Sequence, residues 1–112
     1  MDRVRFWAVC LAIAAGSVTG LLAAKGNPEK GKEVFQQCAV CHKADSDEKK
    51  TPPGGPGLKG LFKRDKLSVN GKKVTEANVR ARIDEGGNGM PSYKDMLSDQ
   101  EKDDLIAYLK TL

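Results

Sequence analysis

Residues 38–42, CAVCH, hold two of the three cysteines in this chain and its one histidine. Placing nearly the whole stock of strong soft ligands in five consecutive positions limits what can be built around them. Three chemistries compete for such residues. A structural zinc site takes four Cys or His ligands. Beyond residue 24 only three exist, and adjacent Cys41 and His42 cannot easily share one tetrahedral ion. A thioredoxin-like redox pair needs a βαβ setting, and the sequence downstream is not strand-like. Covalent haem is the third: C-x-x-C-H is the attachment signature of c-type haem. Two residues between the cysteines let each sulfur form a thioether to one of the two vinyl groups on the porphyrin edge. Residues three and four apart share a face on a helical turn. Cys38, Cys41 and His42 can therefore all point at one plate-like ligand, with His42 reaching the iron. One haem c, attached through Cys38 and Cys41, is the expected cofactor.

The first 24 residues read as a leader. MDRVR carries two arginines, and the nineteen residues from Phe6 to Ala24 are uncharged. A basic start before an apolar stretch is the pattern of an export signal. A buried amphipathic helix is the weaker reading, because the stretch has no polar face. Nineteen uncharged residues also suffice to cross a bilayer as a helix, with Arg3 and Arg5 kept on the cytoplasmic side. Residues 1–24 are thus a signal peptide or an N-terminal membrane anchor through 6–24, and residues 25–112 the exported domain. The expected location is the periplasm, with anchoring to the inner membrane left open. Cys10 sits too early in the run for lipid attachment and reads as apolar filler.

The whole chain carries a formal net charge of +4, and the exported part has seventeen basic and fourteen acidic residues. Its few aromatics and mild basic bias argue against nucleic-acid binding. A domain this small buries little core and needs an extra cross-link. A disulfide between Cys38 and Cys41 would close only a tiny loop and remove little chain entropy, whereas a covalent haem would serve.

Electron-transfer haem takes a second axial ligand, and a His/Met pair holds its potential high. With no second histidine, Met90 and Met96 are the main candidates, a lysine being a weak one. Met90 follows Gly86, Gly87, Asn88 and Gly89, which can turn the chain sharply. Pro91 restricts Met90 to an extended backbone, which holds the thioether out of a loop. Met96 leads into the last helix, where a methionine is usually core filler. Met90 is favoured and Met96 is the fallback.

The remaining pattern is all-α: three main helices and short helical turns wrapped around the haem. Asn27 reads as an N-cap with Pro28 at the first helical position, opening a helix through Gly31, Val34, Phe35 and Cys38. A second helix starts at Thr75, with Val74 and Val79 as a hydrophobic staple, Val79 and Ile83 as its apolar side, and Gly86-Gly87 as its stop. Ser98 and Glu101 have capping-box spacing and open a last helix whose apolar stripe is Leu105, Ile106, Tyr108, Leu109 and Leu112. A short helical turn covers Gly60 to Arg64. The loop from Lys43 to Gly57 is polar, then rich in Pro and Gly. Its backbone is a candidate to accept the second ring N–H of His42, since metal-bound histidines normally donate that proton.

Taken together, CAVCH, GPGLKGLFKR, GMPSY and LSDQEKDDLIAYL resemble the class I cytochromes c, in the manner of the small monohaem bacterial members. The resemblance covers nearly everything from Gly31 to Leu112. It implies that the Pro56 carbonyl accepts from His42, that Leu58 packs on the haem and that Arg64 lies near a haem propionate. It also implies that the first and last helices pair through Gly31 and Phe35 against Leu105 and Tyr108. Compared with mitochondrial cytochrome c, the loop before Pro56 is longer and the segment from Arg64 to Met90 much shorter. The internal tryptophan that binds a propionate there is missing, so Lys66, Asn70 and Arg80 stand beside Arg64 as propionate partners.

The function expected is single-electron transfer, not enzymatic turnover, with His42 and Met90 as iron ligands. Leu58, Leu61, Phe62 and Leu97 would exclude water. The partners expected are membrane or periplasmic redox proteins that dock transiently at the haem edge, steered by Lys43, Lys59, Lys63, Lys72, Lys73 and Lys94. The carrier is expected to be monomeric. Two rivals are a gas sensor or peroxidase-type enzyme with a labile methionine, and an electron-entry subunit of a larger oxidoreductase complex.

Overall fold

Asn27 opens the first helix as its pattern suggests. Its side-chain oxygen accepts the backbone N–H groups of Glu29 (2.9 Å) and Lys30 (3.1 Å), satisfying two donors that a helix start leaves unpaired. The computed structural model describes residues 25–49 and 54–112; residues 1–24, read above as a leader, lie outside the described residues, as do Lys50, Thr51, Pro52 and Pro53. Helix α1 is Pro28–Val34, α2 is Glu76–Glu85 and α3 is Asp99–Leu109. Two 3-10 turns, Phe35–Gln37 and Leu61–Lys63, complete the order. Among the described residues there is no strand, only isolated bridges between Lys66 and Lys73 and between Gly87 and Met90.

The first helix differs from expectation at its end. α-Helical geometry stops at Val34 and the chain tightens into the 3-10 turn before reaching Cys38. The Phe35 carbonyl accepts from both Cys38 N–H (2.8 Å) and Ala39 N–H (2.9 Å). Such tightening satisfies helix-end carbonyls, and here it delivers the chain into the turn that carries CAVCH.

α2 is capped by Thr75, whose hydroxyl accepts from Asn78 N–H at 3.0 Å. It buries Val79 and Ile83, and Val74 packs against the same core. The helix stops at Gly86, which has φ +65°. α3 carries the full capping box: Glu101 N–H donates to Ser98 Oγ (3.1 Å), and Ser98 N–H donates to Glu101 Oε1 (2.9 Å).

α1 crosses α3 at Gly31, whose backbone lies directly on Asp104 O and near Tyr108 Cβ. Phe35 and Tyr108 meet beside this crossing with ring centroids 5.3 Å apart. The core consists of Phe35, Leu61, Val79, Ile83, Tyr93, Leu97, Leu105, Ile106 and Leu109.

Two charged residues of α3 are buried as well, and both serve as ties. Asp104 Oδ1 accepts Asn27 N–H (2.8 Å) and Gln100 Nε2 (2.9 Å), fixing the start of α1 to α3. Lys102 Nζ donates to Lys94 O (3.0 Å) and stands 2.7 Å from Asp84 Oδ1. That contact is an ion pair by distance without hydrogen-bond alignment. Arg80 joins α2 to α3 through Asp103 Oδ1 (2.6 Å) and Asp99 Oδ1 (3.1 Å). Desolvation pulls the Arg80 pKa down, but the hydrogen bonds and charges of Asp103 and Asp99 outweigh it and leave the group above its usual value. No helix among the described residues is long and apolar enough to cross a membrane.

Candidate haem site

The turn after Phe35–Gln37 repeats i→i+3 and i→i+4 bonding: Cys41 N–H and His42 N–H both donate to Cys38 O, at 3.0 and 2.8 Å. This winding brings Cys38, Cys41 and His42 onto one turn. Cys38 is half-buried and packs against the core, whereas Cys41 is exposed. No disulfide joins them. Burial pushes the Cys38 thiol up to about 11. Val40, between the cysteines, is 67% exposed, leaving this edge open to solvent.

His42 is held by the loop that follows it. Its Nδ1 lies 2.8 Å from Pro56 O. A carbonyl can only accept, so Nδ1 carries the proton and Nε2 keeps the lone pair that binds a metal. The loop backbone packs close to the ring: a β-carbon on Gly55 would stand 2.7 Å from Cε1 and Nδ1 of His42.

This loop is itself stitched down. Gly55 N–H donates to Cys41 O, Gly57 N–H to Glu48 O and Leu58 N–H to Lys43 O, each at 2.8 Å. Arg64 Nη2 donates to Gly57 O and to Lys59 O, also at 2.8 Å each. Arg64 thus supports the segment bearing Pro56 and Leu58. Leu58 is half-buried against the core, beside buried Leu61 and half-buried Phe62.

Met90 is half-buried and packs against the same core. It leaves a tight two-residue turn: Gly87 N–H donates to Met90 O (2.8 Å) and Met90 N–H donates to Gly87 O (3.0 Å). Asn88 and Gly89 between them have φ +53° and +89°, as a type I′ turn requires. Met96 is 62% exposed. The core-filler reading of Met96 is therefore corrected: Leu97 takes the buried position, and the Met96 side chain faces out.

Of the other propionate candidates, Arg80 has its guanidinium on the carboxylates of α3. Asn70 Oδ1 accepts from Lys72 N–H at 3.0 Å, and Lys66 is exposed. Lys43, Lys59, Lys63, Lys72, Lys73 and Lys94 are all exposed.

Two residues near the site were not singled out from the sequence. Tyr93 is buried, and its phenol is raised above its ordinary pKa first by that burial and then by the nearby Cys38 and Cys41 sulfurs. Its position three residues after Met90 in GMPSY was the available signal. Arg82 donates to the carbonyls of Gly86 and Gly87; an arginine in a helix's last turn, before a glycine stop, is a known partner of end carbonyls.

Two adjacent thiols, an imidazole with its metal-binding nitrogen left basic, a thioether on a fixed loop and an apolar wall fit a covalently held haem. They do so on a three-helix frame whose first and last helices cross at a glycine. A family model, Cytochrome c, matches residues 28–112, and the chain belongs to that family as a class I c-type cytochrome. It is 31% identical over 103 residues to cytochrome c2 of Blastochloris viridis, covering 79% of this chain and 80% of that one. It is 32% identical over 81 residues to cytochrome c6 of Leptolyngbya boryana, covering 70% and 84%. The solved structure of cytochrome c6 from the diatom Phaeodactylum tricornutum superposes with a TM-score of 0.59 at 24% identity, over 77% of this chain and 93% of that one. The fold is the all-α cytochrome c fold, and the protein is a haem-based electron carrier with covalently bound haem c.

Proposed function

We propose that one haem c is held by thioethers on Cys38 and Cys41, with His42 and Met90 as its axial ligands. On this reading the protein carries single electrons between exported or membrane redox partners and is not an enzyme. When bound, the haem supplies an iron that alternates between ferric and ferrous states. The observation that carries the reading is the 2.8 Å contact from His42 Nδ1 to Pro56 O. It fixes the tautomer and orientation of the only histidine in the chain, as expected of a permanent metal ligand.

The chain's own residues support the remaining features. A thioether is a soft neutral donor, and a His/Met pair favours the reduced iron. Leu58, Leu61, Phe62 and Leu97 keep water from the site, which disfavours extra positive charge there. Exposed Val40 and Cys41 leave the attachment edge reachable, and the exposed lysines can steer a brief encounter with an acidic partner. Arg64, through its bonds to Gly57 O and Lys59 O, would act on the loop that carries Pro56 and Leu58. Residues 1–24 would export or anchor a monomeric domain of residues 25–112 in the periplasm.

The test is carbon monoxide added to the reduced, haem-loaded protein. A carrier with both axial positions filled leaves the spectrum nearly unchanged. Rapid, tight binding would overturn the reading in favour of an open iron site.

A further inference from the structure

Beyond its two Gly87–Met90 backbone bonds, the turn that presents Met90 has little of its own to hold it. Gly86, Gly87, Asn88 and Gly89 all have positive φ, and Gly87, Asn88 and Gly89 are exposed. Glycine at such positions loses much chain entropy on ordering, and no side chain here packs to offset it. Gly86 also permits a close approach, since a β-carbon there would lie 2.5 Å from Met90 O and 2.6 Å from Pro91 O.

What fixes the turn comes from α2. Arg82 Nη1 donates to Gly86 O at 2.7 Å, and Arg82 Nη2 donates to Gly87 O at 2.9 Å. The backbone reinforces this, with Gly86 N–H donating to Arg82 O at 2.9 Å. Gly87 O is the same oxygen that accepts Met90 N–H. A single atom thus links the guanidinium to the Met90 backbone. The guanidinium is a rigid fork of donors matched to paired oxygens, a geometry lysine lacks.

We propose that Arg82 is a positioning residue for the axial-ligand loop, clamping the Gly86 and Gly87 carbonyls so that Met90 stays on the iron. The inference rests on the reading of Met90 as the sixth ligand. Arg82 acts through the backbone and touches no reacting atom. Without the clamp the turn opens locally more often, and an external ligand competes better for the sixth position.

The experiment uses the full haem-loaded chain in three variants, Arg82→Gln, Arg82→Lys and Met90→Ala. Two readouts are taken on the ferric protein: the weak far-red absorption band that marks sulfur on ferric haem iron, and the affinity for added imidazole. In Arg82→Gln, imidazole affinity should rise about tenfold, from the loss of two charge-assisted hydrogen bonds that water partly replaces. Arg82→Lys should show a smaller rise of the same sign, since it keeps the charge and loses the fork. If Arg82→Gln does not accumulate with haem, Arg82→Lys decides alone, and an unchanged affinity overturns the clamp. A lowered unfolding midpoint with unchanged imidazole affinity would mean a merely structural role and would also overturn it. So would a change confined to the pH dependence of the midpoint potential, which would put Arg82 on a haem propionate. The failures are distinguishable. A band lost in Met90→Ala but untouched in both Arg82 variants, with unchanged imidazole affinity, sinks the clamp alone. A wild-type protein without the band sinks the Met90 reading and the clamp with it.

Discussion

The backbone of Gly31 in α1 rests directly on the carbonyl of Asp104 in α3, leaving no room for a β-carbon. The same absent carbon would stand 2.8 Å from Tyr108 Cβ. This contact sets the distance between the two helices, and the Phe35–Tyr108 ring pair is built beside it. Asn27 N–H bonded to Asp104 Oδ1 pins the same crossing from the side chain of Asp104.

Gly31→Ala sets two effects against each other. Alanine improves helix propensity by about 1 kcal/mol. The methyl group must push apart two helix backbones, which have no flexible side chain to yield, and overpacking of this kind costs about 1–3 kcal/mol or more. The clash should win, with a net loss of about 1–2 kcal/mol read as a lower guanidinium midpoint in the haem-loaded protein. A variant as stable as the parent would mean that the helices separate freely and that Gly31 does not set their spacing.

The two methionines have opposite surroundings: Met90 half-buried against the core, Met96 62% exposed. Met90→Ala should open the reduced iron to carbon monoxide and lower the midpoint potential, because a soft ligand that favours the ferrous state is lost. Met96→Ala should change neither, and its effect on stability should stay within about 0.5 kcal/mol, as for a surface substitution. The reverse pattern in a redox titration would reassign the ligand to Met96.

The features legible in the sequence were those whose physics is local. Asn27 before Pro28 and Ser98 with Glu101 signal helix starts through bonds within one turn, and the structure contains them. CAVCH carries its chemistry in five consecutive residues. The end of α1 was harder to place, because whether Phe35 to Gln37 continue as α or tighten to 3-10 depends on where the CAVCH turn must go.

Which of Met96 and Leu97 faces inward depends on the path of the chain between Tyr93 and α3, which no short pattern encodes. Long charged side chains were the least legible of all. Arg80 and Lys102 find partners across elements, and those partners exist only once the helices are packed. Buried Asp104 was invisible for the same reason: its role is to accept from Asn27, 77 positions away.

Arg80 supplies the last prediction. Its two aspartate partners differ in setting: the Asp103 side chain is 19% exposed and that of Asp99 is 91% exposed. Solvent and salt screen the outer pair strongly, so Asp99→Asn should cost no more than about 0.5 kcal/mol, and less in high salt. Asp103 accepts the shorter bond, at 2.6 Å, from a partly desolvated guanidinium. Asp103→Asn should cost about 1–2 kcal/mol with weak salt dependence. The direction of the Arg80 shift fixes the pH arm. A cationic group whose folded pKa is raised contributes stability that is complete below its unfolded value and lost only as pH climbs through the folded one. For an arginine, that window lies far into alkali. Between about pH 7 and 10 the Asp103→Asn penalty should therefore stay constant. Parallel denaturant titrations of the parent and both variants, at two salt concentrations across that range, measure all of this. A penalty that vanishes by pH 10, or that salt removes from Asp103 as readily as from Asp99, would show that the inner pair is not the tie holding α2 to α3.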